Sequence, residues 1–141
     1  MSEESTTPHD LVQLTRAWLQ AATNGDLVRT LSFMGPDPVW DMSSMGMGVF
    51  EGLAAVRDFY EDWMGAYDDY RIEAEEIYDL GNGITFGVIL QQGRPAGSGG
   101  TVQLRYGTCA DWVDGKAVRV WNYNDIDEAR AAAEQLVESK E

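Results

Sequence analysis

The sequence predicts an α+β fold: a curved antiparallel sheet wrapped around three N-terminal helices, followed by a short C-terminal helix. Three observations carry this. Apolar residues recur at helical spacing in three segments ahead of Tyr70. From Tyr70 onward the pattern changes to strand-type alternation broken by tight-turn signals. Asp125-Ile126-Asp127-Glu128 then reads as a capping box that opens an alanine-rich helix. Helices first and a meander of strands after is the α+β pattern. A strongly twisted sheet of four long strands can curl around the helices and leave a cavity open at one end.

The elements follow in order. The first seven residues are polar and expected as a disordered tail. Thr7-Pro8-His9-Asp10 reads as a helix start, with Thr7 as N-cap and Pro8 in the first helical position. Leu11, Leu14, Trp18, Leu19 and Ala22 form its apolar stripe. Asn24-Gly25-Asp26 stops this helix and caps the next, which presents Leu27, Thr30, Leu31 and Met34 on one face. Gly35-Pro36-Asp37-Pro38 ends it, Val39 to Met42 reads as a short strand, and Ser43 to Gly48 as a loop. A third helix is expected from Leu53 to Ala66, with Leu53, Val56, Tyr60, Trp63 and Tyr67 on the buried face. Tyr70 to Tyr78 alternates, Gly81-Asn82-Gly83 is a tight turn, and Ile84 to Gln92 is the next strand. Gly93 to Gly100 is a flexible hairpin loop, without the Gly-Lys-Ser/Thr ending and following helix of a phosphate loop. Thr101 to Val113 is a long strand, Asp114-Gly115 a two-residue hairpin turn, and Lys116 to Asn124 the last strand. One domain spans residues 8–137, and residues 138–141 are expected to fray.

Composition narrows the chemistry. The chain of 141 residues is 44% hydrophobic and 24% charged, which suits one globular domain with a single core. Acidic residues number 24 against 10 basic ones, a formal charge of −14, which argues against nucleic acid and against anionic membrane surfaces as partners. No run reaches the ~18 apolar residues of a membrane span, and Met1-Ser2-Glu3-Glu4 has no apolar leader, so a cytoplasmic location is expected. One cysteine, Cys109, cannot form an internal disulfide, and one histidine, His9, cannot build a multi-histidine metal site. No metal and no cofactor are expected. Carboxylates, amides, hydroxyls and aromatic rings remain.

The order of elements resembles the nuclear transport factor 2-like superfamily, and within it the SnoaL-like group. The residues that carry the resemblance are Asn24-Gly25-Asp26, Asp37-Pro38-Val39-Trp40, Phe50-Glu51-Gly52-Leu53-Ala54-Ala55-Val56, Asp114-Gly115-Lys116-Ala117-Val118 and Trp121-Asn122-Tyr123-Asn124-Asp125. It implies a cone-like α+β barrel with a pocket. The superfamily includes isomerases, dehydratases, epoxide hydrolases, polyketide cyclases and non-enzymes, so fold leaves activity open. Ketosteroid isomerases place a Tyr where Trp18 stands, a catalytic Asp at Met42 with Asp41 one residue away, and a second Asp at Thr108. The charged triad of limonene epoxide hydrolases falls on Gln91, Ile89 and Asn122, with Trp40 and Met42 in the water-holding places. The carboxylate of SnoaL-type cyclases falls nearest to Asp125.

Alternation gives a pocket list of its own. If Trp40 points inward so does Met42, and Leu104, Tyr106, Thr108 and Ala110 share one face of the long strand. Gln91, Asn122 and Asn124 join them, and Trp18, Trp63 and Tyr67 close the space from the helices. The plainer reading of those three aromatics is core packing. Asp41 is the candidate base, readable also as a solvated strand residue, and Asp125 is a second candidate, readable also as a helix cap. Two functions follow. One is a cofactor-independent isomerase, cyclase or dehydratase acting on a small apolar carbonyl or polyketide-like substrate. The other is a non-catalytic ligand-binding or interaction protein. The expected ligand is small and apolar or aromatic. Trp121 and Tyr123 alternate with the pocket residues, so a homodimer through the outer sheet face is also expected.

Overall fold

The computed structural model describes residues 10–97 and 99–140. Thr7, Pro8 and His9 of the expected helix start lie outside the described residues. Asp10 caps α1 (Leu11–Thr23), its Oδ1 accepting from the Gln13 amide at 3.1 Å. Gly25, at φ +72°, turns the chain where a side chain would be strained, and Asp26 caps α2 (Leu27–Ser32) by accepting from the Arg29 amide.

The next segment departs from the sequence reading. Met34, expected on the second helix, opens β1 (Met34–Asp41). Prolines at positions 36 and 38 disfavour helical backbone in the residue before each, so the chain is already extended there. A 3-10 turn at Ser43–Met45 lies within the expected loop, and a three-residue strand, β2 (Val49–Glu51), follows it. So short a strand has no periodicity to read. The third helix, α3 (Leu53–Gly65), buries Val56 and Tyr60 but leaves Leu53, its first residue, 38% exposed.

The meander consists of β3 (Tyr67–Gly81), β4 (Ile84–Pro95), β5 (Val102–Val113) and β6 (Lys116–Tyr123). β3 and β4 are longer than expected: register shifts interrupt the alternation of β3, between Asp68 and Arg71 among other places, and β4 runs on to Pro95, paired with Tyr67, through the start of the expected loop. The last strand stops at Tyr123, and Asp125 already caps α4 (Ile126–Ser139), accepting from the amides of Asp127 and Glu128. The sheet order is β2-β1-β6-β5-β4-β3, antiparallel throughout except that β1 runs parallel to β6. That pairing brings the first strand beside the last and places Trp40 level with Val120.

The concave face packs on α1 and α3 through Trp18, Met34, Trp40, Val56, Tyr60 and Trp112. The outer face is packed by α4, with Ile84, Phe86, Val88 and Cys109 beneath Ala129 and Ala133. Trp121 and Tyr123, the basis for the expected dimer face, are half-buried in this cluster. Lys140 fastens the end of α4 to the sheet through the Asn82 carbonyl (2.9 Å) and Asp111 (2.8 Å). No described helix is long and apolar enough to cross a membrane.

Candidate functional site

Two neighbouring lobes that share part of their walls lie between the helices and the concave face of the sheet. The first opens at Met45 and Met47 and is walled by Met42, Phe59, Trp63, Tyr70, Gln91 and Leu104. The second lies under α1 among Thr15, Trp18, Thr85, Thr108, Ala110 and Trp112. Trp40, Tyr60, Ile72, Tyr106 and Asn122 line both. The open volumes are about 30 and 40 Å³, where roughly 10–15 Å³ on the same measure admits one water. Each lobe therefore takes a compact group of a few heavy atoms, not a fused ring system.

The rings pack edge to face and obliquely. Trp40 meets Tyr60 at a centroid distance of 4.9 Å, Trp18 at 6.0 Å and Phe59 at 6.1 Å, and Phe59 continues to Trp63 at 5.7 Å. Trp18 and Trp63 thus belong to one aromatic wall, joined through Trp40 and Phe59. Tyr67 packs obliquely on Trp63 and Tyr70 beside the first lobe and lines a neighbouring depression with Gln91 and Gln103.

The polar groups of the cavity divide into paired and unpaired. Asn122 is paired. In the amide orientation its neighbours require, Oδ1 accepts from Trp40 Nε1 at 3.0 Å and Nδ2 donates to Thr108 Oγ1 at 2.6 Å and to the Trp121 carbonyl. The Tyr70 hydroxyl donates to Gln91 Oε1 at 3.2 Å, and Trp112 Nε1 to Thr85 Oγ1 at 3.0 Å. Trp18 Nε1 is unpaired. It is close enough to the Tyr60 hydroxyl to favour its ionised form, yet it makes no hydrogen bond and is sealed from solvent. The hydroxyls of Tyr60 and Tyr106 make no hydrogen bond to a described residue either. Burial raises the pKa of Tyr60, Tyr106 and Tyr70 above the ordinary phenol value, with neighbouring phenols adding to the shift. All three therefore stay neutral near pH 7.

No carboxylate is among the described lining residues of either lobe. Asp41 follows Trp40 on β1 and so faces the other way. It accepts from the amide (3.0 Å) and hydroxyl (2.5 Å) of Ser43 and lies 4.0 Å from Arg119. Asp125 is exposed at the N-cap of α4. Asn124, expected inward on the last strand, sits beyond its end and is exposed, because the chain bends there into the α4 cap. Trp18, Trp40, Met42, Trp63, Gln91, Tyr106, Thr108 and Asn122 line the lobes. Tyr60, Tyr70 and Thr15 line them too but were not anticipated as site residues. Tyr60 falls four residues after Val56 on the buried helix face, and Tyr70 shares a strand face with Ile72, so the signal was present. Among the described residues no group of three or more His, Cys, Asp or Glu could hold a metal.

No curated protein matches this chain in sequence. Solved structures do match in fold. A hypothetical protein of ketosteroid isomerase-like fold from Catenulispora acidiphila, in complex with trimethylamine, superposes with a TM-score of 0.70 at 11% identity, covering 86% of this chain and 92% of the other. A candidate polyketide cyclase from Xanthomonas campestris gives 0.65 at 24% identity, covering 85% and 93%. An NTF2-like protein of unknown function from Burkholderia pseudomallei gives 0.70 at 19% identity, covering 89% and 98%. The family model of the SnoaL-like domain matches residues 15–120, from the middle of α1 to β6. With that match over most of its length and these folds around it, the chain belongs to the SnoaL-like domain family.

Proposed function

We propose that this protein binds a compact small molecule in the two-lobed cavity and that the cavity does no base-catalysed chemistry. One observation carries the reading: a buried aromatic cavity with neutral hydrogen-bond donors and no carboxylate on its described walls. Proton abstraction next to a carbonyl needs a base within hydrogen-bond reach of the substrate. The phenols are held in their neutral form, and both candidate carboxylates serve turns outside the cavity. An isomerase, cyclase or dehydratase reading therefore has less support than a binding one. The trimethylamine held by the Catenulispora relative is in keeping with a ligand of this scale. The test is a fragment screen read by tryptophan fluorescence, with Ala110→Leu as a blocking variant, since Ala110 lines the second lobe. Saturable quenching in the native protein that weakens at least tenfold in a folded Ala110→Leu protein is expected. Turnover of a carbonyl substrate that Asp41→Asn abolishes would sink the reading.

A further inference from the structure

We propose that the cavity recognises a compact methylated ammonium compound that also carries a hydrogen-bond-accepting oxygen, a betaine-type zwitterion. This rests on the small-molecule reading above and names the class of ligand. The first lobe supplies the cation site. Its walls include the rings of Trp40, Phe59, Tyr60, Trp63, Tyr70 and Tyr106, and no Lys or Arg stands among its lining residues. Ring faces attract a methylated ammonium through their quadrupole, and an ammonium without N–H groups asks for no hydrogen-bond acceptor. The thioethers of Met42, Met45 and Met47 complete the wall with polarisable, adaptable surface.

The second lobe supplies the oxygen site. Trp18 is 6% exposed, and its Nε1 is a buried donor without an acceptor. An orphaned buried donor is costly, and native proteins rarely keep one without a purpose. Tyr60 and Tyr106, each 7% exposed, line both lobes and bring two more hydroxyls that make no hydrogen bond to a described residue. A ligand that brings an acceptor into this space can take up these donors. A full anion without a compensating charge would be poorly tolerated on walls that carry no basic residue. A zwitterion answers both demands, because its positive end lies against the rings and its oxygen takes the indole N–H.

Three probes separate the parts: glycine betaine, its isostere 3,3-dimethylbutanoate and the smaller tetramethylammonium. The second keeps the oxygen and shape of betaine with carbon in place of the charged nitrogen, and the third keeps the cation without the oxygen. Titrations are followed by calorimetry and by the indole N–H resonances, with Trp18 assigned from Trp18→Phe. Betaine is expected to bind about tenfold more tightly than either partial analogue and to move the Trp18 Nε1–H signal downfield. Trp18→Phe should reduce betaine binding towards that of tetramethylammonium and leave tetramethylammonium unchanged. If 3,3-dimethylbutanoate binds as well as betaine, the rings read shape rather than charge and the proposal is wrong. It is equally wrong if betaine leaves the Trp18 resonance in place. Failure of all three probes while fragments from the screen still bind overturns this inference alone. Failure of every fragment as well overturns the binding reading with it.

Discussion

The two faces of β5 solve opposite problems. Residues facing outward, Gly107 and Cys109, meet α4 with no space left over. A Cβ on Gly107 would stand 2.4 Å from the Cβ of Ala129, and the Cys109 thiol donates to the Ala129 carbonyl. Residues facing inward, Tyr106, Thr108 and Ala110, border the cavity, where the Tyr106 hydroxyl makes no hydrogen bond to a described residue. One face is closed and bonded, the other open and rich in unused donors. Stability should therefore be concentrated under α4, and recognition under α1 and α3.

The largest effect should come from the closed face. Phe86 is 2% exposed, beneath Arg130 of α4 and stacked on Tyr78. Phe86→Ala should cost about 3–5 kcal/mol, measured by urea unfolding. A loss below 1 kcal/mol would mean that α4 contributes little to stability.

A paired group on the open face should come next. Asn122→Leu strands the Trp40 N–H and removes the donor to Thr108 in a site only 2% exposed. The expected cost is about 1–3 kcal/mol, measured in the absence of any ligand. Unchanged or raised stability would show that this amide serves the ligand, as its strand position first suggested.

The third prediction returns to the closed face and uses pH. Burial raises the Cys109 thiol from an ordinary value of 9.0 to about 12. The folded state holds its proton more tightly than the unfolded state, so the thiol's contribution is complete below about pH 9 and is lost as pH rises towards 12. Between pH 8 and pH 10 the native protein should lose about 1–2 kcal/mol more than Cys109→Ala. Equal losses in the two proteins would place the thiol in contact with water.

The smallest effect should come from the unpaired donor. Trp18→Phe keeps a ring in the wall and removes an N–H that has no acceptor. Unliganded stability should change by less than about 1 kcal/mol, in either direction. A loss approaching that of Asn122→Leu would mean that the indole is bonded in solution, and the contrast between paired and unpaired groups would fail.

Much of this arrangement is legible in the chain. Helical spacing in α1 turns Trp18 inward, strand parity ties Met42 to Trp40 and separates both from Asp41, and Asn24-Gly25-Asp26 and Asp114-Gly115 place turns where the structure has them. Those features are local, since side-chain direction follows from a period of 3.6 or 2 and turn backbone from glycine and aspartate chemistry. Parity alone could not say which face of β1 met the helices. Nor could it show that the last strand would stop before Asn124, or that Asn122 would find partners in Trp40 and Thr108. Each depends on contacts between residues far apart in sequence: the parallel pairing of β1 with β6, the docking of α4 on the outer face, and the crossing of α1 over the sheet. The sequence by itself determined the elements and the aromatic, amide and hydroxyl character of the inner face. Only the tertiary structure decided which of those polar groups are used up by neighbours and which are left for a ligand, because a hydrogen-bond donor is unpaired only with respect to everything folded around it.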